Sequence, residues 1–335
     1  MKSTCLIIAT GFAYLLLAAS PAIAQQDMDA ARDSLFALRN GSPTLSFQDN
    51  ARNTQLSGAQ DDATAHPSSA APAHEGLSEA EINNKLNNPG SDLASLNFKL
   101  VWNQYQGDLP GSSSQNSLTM AFQPVFPFKL GGGNNLIIRP TIPVTWGPHF
   151  NARSGGFDED FGLGDAEFLA LIGHTNIEKG IIYGGGVTMQ LPTHTDSSLG
   201  RDDFRLGPAG YVGLMGKWGI VAAFGQHWWN IGGSDGYFST TDVELIYWFA
   251  INDGWQIGGA PIVSYDWAQN DSDDAWSVPI NLGLQKTFRF GKLPVKMRLE
   301  GVYYIVTPDS FGPQWGLQLT ITPVIANPFE HLARK

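Results

Sequence analysis

From Asp92 onward, apolar and polar residues alternate along the chain, and this alternation recurs in twelve segments of about 11 to 15 residues. In the stretch PVKMRLEGVYYIV, for example, Lys296, Arg298 and Glu300 take every second position among mostly apolar neighbours. Successive side chains of a strand point to opposite faces, so each segment predicts a strand with one oily and one polar face. The segments lie near 93–105, 116–129, 134–147, 161–174, 180–193, 204–216, 218–230, 237–251, 254–267, 276–290, 293–307 and 314–326.

The connections between the segments alternate in length. KLGGGNN, TNIEKG, GKWG, INDG and RFGKLP are short, whereas YQGDLPGSSSQ, GPHFNARSGGFDED and HTDSSLGRDDF are longer and more polar. Short turns on one side and long loops on the other are typical of outer-membrane barrels. A soluble β-sandwich would show the same alternation, but its strands are usually shorter. We therefore predict an all-β fold, a closed antiparallel transmembrane β-barrel of about 12 strands over residues 92–327.

Tryptophans near the segment ends support the membrane interpretation. Amphipathic aromatic rings favour the two membrane interfaces and form girdles around outer-membrane barrels. The predicted girdle residues are Trp146, Trp228, Trp229, Trp267, Trp276 and Trp315 beside long loops, and Trp218, Trp248 and Trp255 beside short turns.

The N-terminus predicts export. Lys2 precedes the apolar run CLIIATGFAYLLLAAS, and a small-x-small motif ends at Ala24, so we expect a cleaved signal peptide over residues 1–24. The run is shorter than the ~20 residues that a membrane-spanning helix needs. The only cysteine, Cys5, lies in this segment, so the mature chain would contain no disulfide and no thiolate metal site. The expected destination is the outer membrane of a Gram-negative cell.

Residues 25–91 are polar and predict a periplasmic segment that is partly disordered and partly helical. DMDAARDSLFALRN is one candidate helix, and LSEAEINNKLNN is another, with Ser78 and Glu81 placed as a capping box. An even number of strands puts both chain ends at the periplasmic side, so this segment would plug the barrel or tether it. Its low apolar content favours a tether. Residues 328–335 form a C-terminal tail, in which the last aromatic, Phe329, lies six residues before Lys335.

The parity of the alternation predicts which charged side chains face the lumen. Two interpretations remain open: ion pairs that fill and close a narrow barrel, or charged walls along a solute path, which we favour. The predicted interior cations are Lys99, Arg139, Arg205, Arg289, Lys296 and Arg298, and the predicted anions are Asp165, Glu167, Asp242, Glu244, Asp266 and Glu300.

Charge and composition limit the partners. The net charge of −11 argues against nucleic-acid binding. The acidic loops GFDEDFG and NDSDD lack the spacing of a calcium loop, so no metal site and no cofactor is predicted. The expected partners are outer-membrane lipids and lipopolysaccharide, the barrel-assembly machinery and a small-molecule solute.

The run GGVTMQLPTHTDSSLGRDDFRLGPAGYVGLMGKWGIVAAFGQHWWNIGG, preceded by FGLGDAEF, resembles the outer-membrane proteins of the MetA-pathway of phenol degradation, some of which are labelled neuromedin U. The resemblance extends over about 79–325, through the motifs GLGD, LPT and LGPA and a Gln-His-Trp-Trp stretch. It implies a barrel that transports small, often hydrophobic or aromatic compounds.

Two other classes compete with a channel. Outer-membrane phospholipase is also a twelve-stranded barrel, and the loop THTDSS offers His194, Asp196, Ser197 and Ser198 as a candidate nucleophile and base. The loop is polar and lacks the His-x-Ser arrangement of those lipases, so we predict that the chain is not an enzyme. A structural or surface-binding barrel is the third class, although no loop is long enough for a separate binding domain.

Overall fold

The computed structural model describes residues 76–234, 236–252, 254–269 and 272–329. The predicted signal peptide, residues 25–75 with the candidate helix DMDAARDSLFALRN, and residues 330–335 of the tail lie outside the described residues. Among the residues that the structure describes, no helix is long and apolar enough to cross a membrane.

The described chain contains one α-helix, one short 3₁₀ turn and fourteen strand segments. The elements are α1 (Glu79–Asn87), β1 (Ser95–Gln106), the 3₁₀ turn (Ser112–Ser114), β2 (Asn116–Gly131), β3 (Asn134–Asn151), β4 (Gly156–Leu163), β5 (Ala166–Asn176), β6 (Ile181–Leu191), β7 (Asp203–Gly216), β8 (Gly219–Gly233), β9 (Ser239–Ala250), β10 (Gln256–Gly259), β11 (Ile262–Asp266), β12 (Trp276–Phe290), β13 (Leu293–Val306) and β14 (Gly312–Pro323).

The strands form a closed antiparallel barrel, as predicted. Each strand pairs with its sequence neighbours, and β1 closes the sheet by pairing with β14. Two of the barrel strands are interrupted: β4 and β5 pair with successive halves of β3, and β10 and β11 both pair with β9. The fourteen segments therefore make twelve barrel strands. All pairings are antiparallel and the sheet closes on itself, although within the described residues β4 pairs with β3 alone and its other edge has no strand partner.

The outer face of the barrel is apolar. On β12, Ile280, Leu282 and Leu284 are 53%, 66% and 47% exposed, whereas the alternate residues Asn281 and Gln285 are 6% and 0% exposed. The same alternation runs along β13 and β14. A soluble protein would bury this continuous apolar face, whereas a barrel in a membrane presents it to lipid. The alternation predicted from the sequence is confirmed.

The connections differ at the two ends of the barrel. The end with the tight turns, which we call the short-turn end, carries the connections β2–β3, β5–β6, β7–β8, β9–β10 and β12–β13. The opposite end, the long-loop end, carries the longer connections, as expected. Gly180 in the β5–β6 turn has a φ of 64°, and a side chain there would strike the carbonyl of Met215. Only glycine combines this conformation with such close approach.

Two predicted girdle tryptophans lie elsewhere. Trp218, Trp255, Trp267, Trp276 and Trp315 are 38–52% exposed on the outer face, and Trp146 and Trp229 are partly buried. Trp228 and Trp248, in contrast, are 3% and 0% exposed and point into the barrel. Position near a strand end predicted them for the girdle, but side-chain parity decides the face: Trp228 follows the inward Gln226, and Trp248 follows the inward Ile246.

Candidate functional site: the barrel lumen

Residues 76–93, which we call the entry segment, occupy the short-turn end of the lumen. A capping box begins α1: Ser78 N donates to Glu81 Oε2 at 2.8 Å, and Glu81 N donates to Ser78 Oγ at 3.3 Å. Ile82 and Leu93 are buried against Val324 at the end of the last strand. The helix is thus fixed at its start and packed by a small apolar cluster.

Asparagine side chains join the entry segment to the barrel wall. Asn83 donates to the carbonyl of Gly254 at 2.6 Å and accepts from Thr287 Oγ1 at 2.6 Å. Asn84 donates to the carbonyl of Gly216 at 3.0 Å, and Asn88 donates to Thr175 Oγ1 at 3.0 Å. These partners belong to different strands and turns around the short-turn end. The segment is therefore held across the opening rather than along one side.

Asn87 binds the two cations of β13. Its Oδ1 accepts from Lys296 Nζ at 2.9 Å and from Arg298 Nη2 at 3.0 Å, and its Nδ2 donates to Gln256 Oε1 at 3.1 Å. Asn87 is 5% exposed and Lys296 is 3% exposed. An amide oxygen that accepts two charge-assisted hydrogen bonds away from bulk water is a strong local anchor.

A tyrosine of the wall also contacts the entry segment. Tyr211 on β7 is 1% exposed, and its ring lies beside Gly90, Gly173 and Gly184. A side-chain carbon at any of these three glycines would overlap Tyr211. The carbonyl of Gly90 also accepts from Asn135 Nδ2 at 3.1 Å. The close backbone approach at Gly90 thus requires a residue without a side chain.

Above the entry segment, the lumen contains a cavity of about 280 Å³. Its walls come from ten strand segments, β1, β2, β3, β5, β6, β8, β9, β11, β13 and β14, and its floor from residues between Leu86 and Leu93 of the entry segment. Seven of the predicted interior residues line it: Lys99, Arg139, Glu167, Asp242, Glu244, Lys296 and Arg298. Phe224, Trp228 and Ile137 add apolar surface.

Some of the cavity charges are paired and others are not. Arg139 lies 3.7 Å from Glu167 and covers the ring of Phe224 at 5.4 Å. Arg298 covers the ring of Trp248 at 4.8 Å. Within the described chain, Lys99 on β1 and Glu244 on β9 form no ion pair. The cavity is therefore polar and only partly neutralised.

Several buried polar atoms of the cavity wall have no hydrogen-bond partner among the described residues. They are Arg139 Nε, Glu167 Oε1, Gln190 Oε1, Gln226 Oε1 and Thr320 Oγ1. Buried polar atoms are normally satisfied by protein, water or ligand, because an unmet donor or acceptor costs about 1–3 kcal/mol. Five such atoms around one cavity indicate a space suited to water or a polar solute.

Glu300 lies behind the cavity wall, where the ninth barrel strand is interrupted. It is 0% exposed and accepts from the backbone N of Ala260 at 2.9 Å and from Gln318 Nε2 at 3.0 Å. Ala260 follows the last residue of β10, so the carboxylate replaces a backbone partner that the strand break removes. Arg298 lies 3.7 Å away. Glu300 thus holds the wall in shape.

The remaining predicted interior residues lie at the two ends of the barrel. Arg289 is exposed at the short-turn end, where it donates to the carbonyl of Leu77 in the entry segment. Asp266 caps a loop at the long-loop end by accepting from the backbone N of Ala268 at 2.9 Å. Asp165 and Arg205 form a buried ion pair near the same end. The twelve predicted residues thus divide between the cavity, its supporting wall and the two ends.

His194 joins the Asp165 cluster through the loop 192–202. Its Nδ1 lies 2.7 Å from Asp165 Oδ1, and its Nε2 lies 3.2 Å from Asp202 Oδ1. The hydrogen bond with the Asp165 carboxylate raises the pKa of His194, because it favours the protonated ring. Ser198 Oγ donates instead to Asp160 Oδ2 at 2.7 Å. The described chain therefore shows no hydrogen bond from His194 to a serine, although THTDSS was the candidate catalytic loop.

Sequence reasoning missed the uncharged members of the site. Asn83 and Asn87 anchor the entry segment, and Gln190, Gln226 and Gln318 line the cavity. The glutamines occupy inward positions of the same alternation that located the charged residues, so parity could have found them. Nothing local to the sequence indicates that the asparagines meet the wall, since their partners lie more than 80 residues away.

Comparison with known proteins agrees on the fold. No protein-family model matches the sequence, and no curated protein matches it. Among solved structures, the COG4313 outer membrane channel from Pseudomonas putida F1 superposes with a TM-score of 0.50, covering 70% of this chain and 96% of that one at 15% identity. This chain has the fold of an outer-membrane β-barrel. At this identity the likeness shows the fold alone.

Two further barrels superpose less well. Outer membrane phospholipase A from Escherichia coli gives a TM-score of 0.37 at 11% identity, covering 75% of this chain and 100% of that one. A Pseudomonas aeruginosa FadL homologue gives a TM-score of 0.28 at 11% identity, covering 75% of this chain and 95% of that one.

Among the described residues, no group of three or more His, Asp or Glu side chains is placed to hold a metal ion.

Proposed function

We propose that this protein is an outer-membrane channel for small solutes, and that the entry segment is a plug that closes its short-turn end. The observation that carries the proposal is the polar cavity inside the barrel, with Asn87 and its neighbours as floor. A barrel with a packed structural core would have no reason to leave buried polar atoms unpartnered around an internal space. The solved channel with the same fold and the motif resemblance point in the same direction.

The contacts of the entry segment suit a plug that is displaced rather than a permanent core element. They are hydrogen bonds from asparagines to a polar wall, and water can replace each of them when the segment leaves. Apolar packing is confined to one small cluster among the described residues, in which Ile82 and Leu93 are buried and Leu77 and Leu86 pack against them. A permanently closed barrel would be expected to use more apolar contact, because hydrophobic burial is the dominant stabilising term. The short-turn end corresponds to the periplasmic side.

Conductance in planar lipid bilayers tests this proposal. The refolded chain from Gln25 onward is compared with a chain that lacks residues 25–88. We expect rare openings for the longer chain and stable, discrete steps for the shorter one, because the shorter chain has no α1. A shorter chain that is folded, as judged by its β-sheet circular dichroism, and yet gives no steps would overturn the channel.

A lipid hydrolase is the competing function, and we infer that the protein is not one. His194 is held between two aspartates, and the Ser198 hydroxyl donates to a carboxylate, so the loop provides no activated nucleophile. Incubation with phospholipid vesicles should release no fatty acid. Release that is abolished by His194→Gln would make the hydrolase the better assignment. We further infer lipopolysaccharide beside the long loops, and the barrel-assembly machinery, as partners.

A further inference from the structure

The charges of the cavity are separated by sign around the barrel. The arc formed by β13, β14 and β1 contributes Lys296, Arg298 and Lys99 to the cavity, with Glu300 behind it as the one anion. This arc has an excess of two positive charges when all four groups are ionised.

The anions of the cavity lie on another arc. Asp242 and Glu244 face the cavity from β9. Four barrel strands lie between β9 and β1 in one direction around the wall and six in the other, so Glu244 and Lys99 stand on nearly opposite sides of the lumen, whereas β13 is only two barrel strands from β9. The Arg139–Glu167 pair lies between these arcs and neutralises itself at 3.7 Å. The cavity is therefore crossed by a transverse field.

From this separation we infer that the cavity binds small zwitterions that carry an apolar group. The anionic end of such a solute would face Lys99, and its cationic end would face Glu244. Neither forms an ion pair within the described chain; Asp242 and Lys296 form none there either, but Lys296 already donates to Asn87. A solute with one charge satisfies one wall and leaves the other unmatched. A neutral solute forms a charge-assisted contact with neither wall. The inference rests on the proposed channel function and adds its substrate class.

Two further features of the cavity agree with this class. Its volume of about 280 Å³ is just below the ~300–1,000 Å³ range of sites for drug-sized molecules, which suits a molecule of amino-acid size. Phe224, Trp228 and Ile137 form an apolar wall beside the charges and would contact a hydrocarbon or aromatic group. The unpartnered Gln226 Oε1 adds an acceptor for an ammonium group.

Isothermal titration calorimetry on the refolded chain tests the inference with three probes of similar size. Phenylalanine is the zwitterion, 3-phenylpropionate carries only the anion, and phenethylamine carries only the cation. We expect phenylalanine to bind at least about tenfold more tightly than either of the others, because each probe with one charge lacks one charge-assisted contact.

Two variants should each lower the affinity for phenylalanine and spare a different single-charge probe. A general loss of structure would lower the affinity for all three probes. Lys99→Gln should lower the affinity for phenylalanine to that for phenethylamine and leave phenethylamine unchanged. Glu244→Gln should lower the affinity for phenylalanine to that for 3-phenylpropionate and leave 3-phenylpropionate unchanged. Lys129→Gln is the matched control, because Lys129 is exposed at the short-turn end and does not line the cavity.

The outcomes separate this inference from the channel itself. Conductance steps together with equal or absent binding of the three probes would refute the zwitterion site and leave the channel intact. Preferred binding of phenylalanine without conductance would support the site and refute the channel. If Lys99→Gln and Lys129→Gln changed the affinity for phenylalanine equally, the selectivity would not come from the cavity and the inference would be overturned.

Discussion

The anchor at Asn87 gives the most quantitative prediction. Asn87→Ala removes two charge-assisted hydrogen bonds, from Lys296 and Arg298, and one neutral bond to Gln256. Charge-assisted bonds contribute about 1.5–3 kcal/mol each and a neutral bond about 1 kcal/mol, and water in the emptied space restores part of this. We therefore expect the docked state of the entry segment to lose roughly 2–4 kcal/mol relative to the undocked state.

A less stable docked state of the entry segment should increase the fraction of time for which the channel is open. Each 1.4 kcal/mol is a tenfold change in an equilibrium constant, so the ratio of open to closed channels should rise by about 30-fold to several hundred-fold. Single-channel recording of the full chain from Gln25 measures this ratio directly. Ala80→Gln is the control, since Ala80 lies on the same helix but is exposed, and its variant should match the wild type. A folded Asn87→Ala protein with an unchanged open fraction would refute the reasoning.

Three further results are expected. Gly90→Val should also raise the open fraction, because the new side chain overlaps Tyr211; unchanged closure would show that this contact does not hold the segment. Folding raises the pKa of His194 above the value of about 6.5 that the residue has in the unfolded chain. The bond between His194 and Asp165 therefore stabilises the loop 192–202 fully below pH 6.5, and this stabilisation is lost as the pH rises through the pKa of His194 in the folded protein. Amide hydrogen exchange in that loop, corrected for its intrinsic pH dependence, should therefore increase with pH in this window, and His194→Gln should abolish the increase; the same increase in the variant would contradict the assignment. Trp248→Phe should leave the absolute fluorescence intensity that brominated lipids quench unchanged, because Trp248 is buried inside the barrel; a decrease in that intensity would return Trp248 to the girdle.

The barrel itself could be predicted because the sequence features that specify it are local. Alternation with a period of two and the contrast between short turns and long loops are both visible within a few residues. The same rule located the cavity charges, for instance Lys99 and Asp242. It was set aside for Trp228 and Trp248, where closeness to a strand end was given more weight than parity, and there the prediction needed correction.

The entry segment could not be placed from the sequence. The sequence left a plug and a tether open, and the low apolar content of residues 25–91 favoured a tether. The lumen wall beside it is polar, so amide groups are suitable contacts: Asn83 meets Thr287 and Asn87 meets Lys296, each across more than 200 residues. The buried cluster of His194 and Asp165 likewise depends on a loop folding back onto another strand.

The proposal that the entry segment plugs the barrel can be tested by measuring how fast a reagent reaches the cavity from the short-turn end. The chain from Gln25 onward contains no cysteine, so Gln226→Cys gives it a single thiol at the cavity wall. A charged thiosulfonate reagent is added to the bilayer chamber at the short-turn end, and the fall in conductance on modification is timed. We predict slow modification when the entry segment is present and at least tenfold faster modification when residues 25–88 are removed. Equal rates in the two proteins would contradict a plug, and no modification in either would contradict a continuous path to the cavity.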